Sequence, residues 1–262
     1  MNNSMRFSYG NHLSQFGVLH LPDSEGKLPV IITVHGGFWK SKFGLEENEN
    51  IVKDLTQRGY AVWNIEYRRI GEEGGGWKGT FSDAVSAVNY ISKLSEQFPL
   101  DLSRVILLGH SAGGQLVLWL ASLGQENCSD ENFEPLLVSI RGVISLAGVT
   151  DLRKMWEIHR KKGILSPVES LLEGSPNEVP EKYNLISPIE RPTSQIEQFL
   201  IHGDMDLHVP VKFSIEYAHK TVEQGGKAHL IVIPGIEHFH IINPSSPAWT
   251  TVINCLSVLD GQ

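Results

Sequence analysis

A chain of 262 residues with 41% hydrophobic and 20% charged residues can bury a large core, which sets disorder aside. Its formal net charge is −8, from 22 Lys and Arg against 30 Asp and Glu, and with no basic run nucleic acid is excluded as an expected partner. No apolar run reaches the ~18 residues needed to span a bilayer, so no membrane partner is expected. The opening residues show no basic stretch followed by an apolar one, and Cys128 and Cys255 stand far apart without metal-ligand spacing. A cytoplasmic address with two free thiols is the expectation.

Taken in order, Met5–Tyr9 and Phe16–Leu21 alternate in polarity and predict an antiparallel pair, with a turn at Leu21-Pro22-Asp23. Val30–His35 is continuous and β-branched, the mark of a buried strand. Glu46–Arg58 reads as a helix stopped by Gly59. Tyr60–Tyr67 is the next strand and Thr80–Phe98 a long amphipathic helix. Val105–Gly109 then runs directly into the apolar helix Ser111–Leu123, and Arg141–Ala147 is again a strand. Gln198–His202 and Ala228–Ile233 read as the last two strands, with helices over Val211–Glu223 and Ala248–Leu259. Strands parted by helices predict an α/β fold, a mostly parallel sheet covered on both faces. Without repeats or low-complexity linkers, residues 1–262 are expected to form one domain. Two stretches break the alternation: the glycine-rich loop Gly71–Trp77, and residues 150–192, which are long enough for a small lid or arm. Both fall beyond strand ends, where open α/β sheets bind ligands.

Gly109-His110-Ser111-Ala112-Gly113 stands where a strand turns into a helix. Such a turn strains the serine backbone and exposes its hydroxyl, and glycines two positions either side avoid collisions between strand and helix. A serine alcohol is a poor nucleophile until a base takes its proton, and the base needs an orienting carboxylate. Two loops after strands supply both: Ile201-His202-Gly203-Asp204-Met205-Asp206, which leads to Val209-Pro210, and Pro234-Gly235-Ile236-Glu237-His238-Phe239. His35-Gly36-Gly37-Phe38-Trp39 follows another strand. Its glycine pair lets backbone N–H groups approach a developing oxyanion, which predicts Gly37 and Ala112 as donors, with Phe38 as a further one.

These motifs resemble the α/β-hydrolase superfamily over the whole chain. H-G-D-x-D-x-x-V-P is similar to the acid loop of its esterase and prolyl-oligopeptidase-like branches. That resemblance implies Asp206 as the triad acid and His238 as the base, with Asp204 a loop-stabilising carboxylate. H-G-G-x-W resembles kynurenine formamidases and small esterases. The implied activity is cofactor-free hydrolysis of a small-molecule ester or amide: Ser111 attacks, His238 shuttles the proton, Asp206 fixes the imidazole, and an acyl-enzyme forms. Short-acyl carboxylic esters are the first expectation and an N-formylkynurenine-type amide the second. A non-catalytic binding protein on the same fold is the competing class, against which the complete trio of serine, acid and histidine argues. An imidazole base of ordinary basicity predicts activity rising through an apparent pKa of about 6–7.

The remaining polar residues take plainer roles. His202, His208, His238 and His240 lack a compact helical pair, so no metal site is expected. His110 is expected to pack locally, His35 to support its loop, and Arg68 or Arg69 to pair with Asp83. Trp39, Trp77 and Phe239 are the candidate substrate contacts.

Overall fold

The computed structural model describes residues 4–123 and 132–261. Eight strands form one sheet: β1 Ser4–Ser8, β2 Phe16–His20, β3 Leu28–Val34, β4 Ala61–Ile65, β5 Leu100–His110, β6 Gly142–Leu146, β7 Glu197–Gly203 and β8 Ala228–Ile233, in the order β1-β2-β4-β3-β5-β6-β7-β8. β2 runs antiparallel to both neighbours, and every other pairing is parallel. The expected antiparallel pair at the start therefore forms one edge of an otherwise parallel sheet.

The two faces bury separate cores. Helix α1 (Glu49–Gln57) and the last helix lie on one face. There Ile51, Val52 and Leu55 pack on Ile31 and Val62, while Trp249, Val252 and Leu256 pack on Ile144 and Ile201. Trp249 Nε1 also donates to Asp54 at 2.7 Å, tying the two helices together. On the other face lie α2 (Gly79–Asn89), α3 (Ile91–Ser95) and α4 (Ala112–Leu123). Every residue of α4 is buried, as expected of a helix that is apolar all round. The expected long helix over Thr80–Phe98 is instead divided at Tyr90. At that point Tyr90 stacks on Trp63, and Asn89 bonds the backbone at Pro135 and Leu137. Local periodicity cannot foresee such tertiary contacts.

What buries the outer side of α4 is the stretch 150–192, folded as α5 (Leu152–Lys161), α6 (Pro167–Leu172) and α7 (Pro180–Ile186). Gln115 Nε2 and Trp119 Nε1 donate to the Ile186 and Leu185 carbonyls at 3.0 and 3.2 Å. These two bonds, the first of them buried, fasten the arm. Two final helices, α8 (Lys212–Glu223) and α9 (Pro247–Asp260), complete the layers. Arg68 forks onto Asp83, with contacts of 2.8 and 2.7 Å, while Arg69 pairs with Glu66 and Glu72. Both arginines thus brace the chain after β4. Strand β5 starts five residues earlier than its apolar run, because Leu100 and Asp101 pair with Leu28 and Pro29 before a register shift.

Candidate active site

Ser111 follows β5 directly, with φ +55 and only 2% exposure. This left-handed conformation is disfavoured for a side-chain-bearing residue. Three backbone bonds hold it: its N–H donates to Leu146 O at 2.8 Å, and its carbonyl accepts from Gln115 and Val149 at 3.1 and 3.3 Å. The flanking glycines are required by close approach. A Cβ on Gly109 would come within 2.2 Å of Gly113 O, and one on Gly113 within 2.1 Å of Val34 O.

The β3 loop lies against this serine. A Cβ on Gly36 would lie 3.1 Å from Ser111 Cβ. Gly37, Phe38 and Trp39 all have positive φ (+92, +49 and +56), which turns the backbone sharply toward the elbow. Among the described residues, neither the Gly37 and Phe38 N–H groups nor that of Ala112 has a backbone acceptor. His35 props the loop from below. Its Nε2 is 2.8 Å from Glu66, its ring stacks on Tyr67, and the Tyr67 hydroxyl donates to His35 O at 3.0 Å.

His238 is buried, and its Nδ1 lies 2.6 Å from Asp206 Oδ2. The other Asp206 oxygen accepts the backbone N–H groups of His208 and Val209, both at 2.8 Å. Burial works to raise the Asp206 pKa, but the bonds from His202 and His238 outweigh it and hold the carboxyl well below the usual range. For His238 burial wins: with His110 and His208 adding repulsion, it outweighs Asp206 and pushes the imidazole down to about 4. That lies below the apparent pKa of about 6–7 expected for an imidazole of ordinary basicity. Asp204 is exposed and accepts from Gly235 N–H at 2.6 Å, so it braces the neighbouring loop while Asp206 faces the histidine. The His238 ring centre is 4.6 Å from that of His110, the residue preceding Ser111.

Of the candidate substrate contacts, Phe239 alone is placed beside His238. It is 54% exposed, and its ring lies against His110, His208 and His238. Trp39 is corrected to a core residue: it has no exposed surface, and its Nε1 donates to Gln115 at 3.2 Å. Trp77 is half-buried and packs beside Phe81 and Phe133, with Lys182 over its ring. Phe38 faces a residue that sequence reasoning missed, His159 of the arm, at 5.5 Å between ring centres. Burial, then Lys162 and Lys40, push the His159 pKa down. Nothing in the sequence near His159 marks it, because only the fold of the arm brings it to the β3 loop. A groove of about 1080 Å³ lies elsewhere, between α1 and β2. Among the described residues no group of three or more metal-ligating side chains comes together, and no helix is long and apolar enough to cross a membrane.

A sheet of this order, with a strained serine on the strand-to-helix turn after β5, has the α/β-hydrolase fold. A carbohydrate esterase from gut microbiota, in a truncated form, superposes with a TM-score of 0.82 at 20% identity, over 99% of this chain and 97% of that one. The chain belongs to the BD-FAE family, which matches residues 18–221. It is 25% identical over 232 residues to a probable isoprenylcysteine alpha-carbonyl methylesterase of Arabidopsis thaliana, covering 84% of this chain and 47% of the relative. It is 23% identical over 240 residues to a kynurenine formamidase of Drosophila melanogaster, covering 91% of this chain and 75% of that relative. The chain thus spans about half the length of the methylesterase relatives it matches.

Proposed function

We propose that this protein is a serine hydrolase that cleaves short-acyl carboxylic esters through Ser111, His238 and Asp206. The observation that carries this reading is the 2.6 Å contact between His238 and Asp206, with His238 packed against His110, the residue before a serine in a left-handed turn. His238 takes the Ser111 proton as Oγ adds to the ester carbonyl, and Asp206 fixes the tautomer and stabilises the imidazolium. The oxyanion is received by the N–H groups of Gly37 and Ala112, with Phe38 as a further donor. Collapse expels the alcohol, which leaves with the proton from His238. Water then attacks the acyl-enzyme by the same route, releasing the acid and restoring Ser111. No step calls on a cofactor.

The short-acyl reading is supported by Phe239 and Leu207, the neighbours of His238 and Asp206, which are 54% and 85% exposed. A second reading, hydrolysis of a formamide, is favoured by the formamidase relative and its 75% coverage. Parallel kinetics on p-nitrophenyl acetate, p-nitrophenyl butyrate and N-formylkynurenine decide between them. The ester reading expects kcat/KM higher for an ester. Efficient formamide turnover with feeble ester turnover would invert the order.

A further inference from the structure

A connection beneath the three loops is not used by the chemistry above. Glu47 lies in the 3-10 turn before α1. Its Oε2 accepts the Gly36 N–H and also faces His110 Nδ1 at 3.3 Å. Across the same ring, His110 Nε2 is 3.0 Å from the His238 carbonyl oxygen. Carbonyl and carboxylate oxygens only accept, so both contacts are hydrogen bonds when both ring nitrogens carry hydrogen. Burial opposes charge on Glu47, but His110 and the Gly36 amide outweigh it and bring its pKa down to about 2. One anion and one buried ring therefore join the β3 loop, the elbow and the His238 loop.

We propose that Glu47 and His110 form a positioning pair that locks the oxyanion loop, the Ser111 elbow and the His238 loop into one arrangement. The inference rests on the roles proposed above for Ser111 and His238. The other groups facing this pair are His35, which favours the Glu47 anion, and, around His238, His208, which opposes its charge, and Asp206, which supports it.

Two measurements test the pair. The first does not depend on activity: ring ¹⁵N NMR, with His110 assigned through His110→Gln. A hydrogen-bonded His110 Nδ1–H is expected in the wild type and is expected to be lost in Glu47→Gln. Absence of that hydrogen bond in the wild type would overturn the pair. The second is the split between kcat and KM. Glu47→Gln is expected to lower kcat about 10- to 100-fold, the scale of a slightly misplaced site, with KM within about threefold. Glu47→Asp should recover part of that loss. In His110→Gln an amide can still donate to the His238 carbonyl, so that variant should keep more kcat than His110→Ala. Wild-type kcat in Glu47→Gln, or equal kcat in His110→Gln and His110→Ala, sinks the proposal. Should Glu47→Gln not fold, Glu47→Asp and His110→Gln carry the comparison. Failure of the serine mechanism would show instead as activity surviving in Ser111→Ala, and would leave the ¹⁵N result standing.

Discussion

An imidazole works as a general base only while neutral, and burial keeps His238 neutral down to about pH 4. Its folded pKa lies below the ordinary value of about 6.5, so activity should be flat from pH 6 to 8 and fall as pH drops through about 4. A limb centred near 6.5 in kcat/KM would show that burial does not control this group. The same depression links to stability with a fixed sign. A group that resists protonation when folded contributes stability above its unfolded pKa and loses it as pH falls. His238 and Glu47 both lean this way, with Glu47 held near 2, so acid should weaken the fold as well as the base. The two acids of the H-G-D-x-D loop separate clearly by position. Asp206→Asn leaves His238 in the wrong tautomer and should cut kcat by up to about 10⁴-fold, whereas exposed Asp204→Asn should cost less than about tenfold. Reversed losses would transfer the role to Asp204. Cys255 is buried, with its thiol pushed up to about 11. It should resist iodoacetamide at pH 8 until the protein unfolds, whereas Cys128 lies outside the described residues.

At the scale of elements, α4 is the hub, since it carries the elbow at its start and the arm along its side. Trp119 is fully buried and donates to Leu185 of the arm. Trp119→Ala should therefore cost about 3–5 kcal/mol, read as a lowered midpoint in urea. A loss below 1 kcal/mol would mean that the arm does not seal this helix. The strands around the site were legible because each is a short β-branched run ending in a motif: Val30–Val34 before His35-Gly36, and Val105–Gly109 before His110-Ser111. The acid and base loops were legible for the same reason. Trp39 was misplaced because a tryptophan after glycine-rich backbone can slide beneath its own loop, as this one does to reach Gln115. His159 and Glu47 left no signal, because their partners lie on other elements and only tertiary contact defines them.

For the molecule as a whole, the sheet and its helices form a scaffold, and the loops at the carboxyl ends of β3, β5, β7 and β8 hold the residues proposed for the chemistry. At these loop ends Phe239 and Leu207 are exposed. A methylene in a closed apolar pocket is worth about 1 kcal/mol, and contact with exposed side chains forgoes most of that gain. Acetyl and butyryl esters should therefore exceed C12 esters by at least roughly tenfold in kcat/KM. Rates climbing to C16 would point to a lipid-binding cleft. The central claim is that one strained serine is the nucleophile, and a fluorophosphonate tests it most directly. Intact-mass analysis with peptide mapping should find a single adduct, on Ser111, absent from Ser111→Ala and formed far more slowly in His238→Ala. An adduct on another residue, or labelling that persists in Ser111→Ala, would contradict the account.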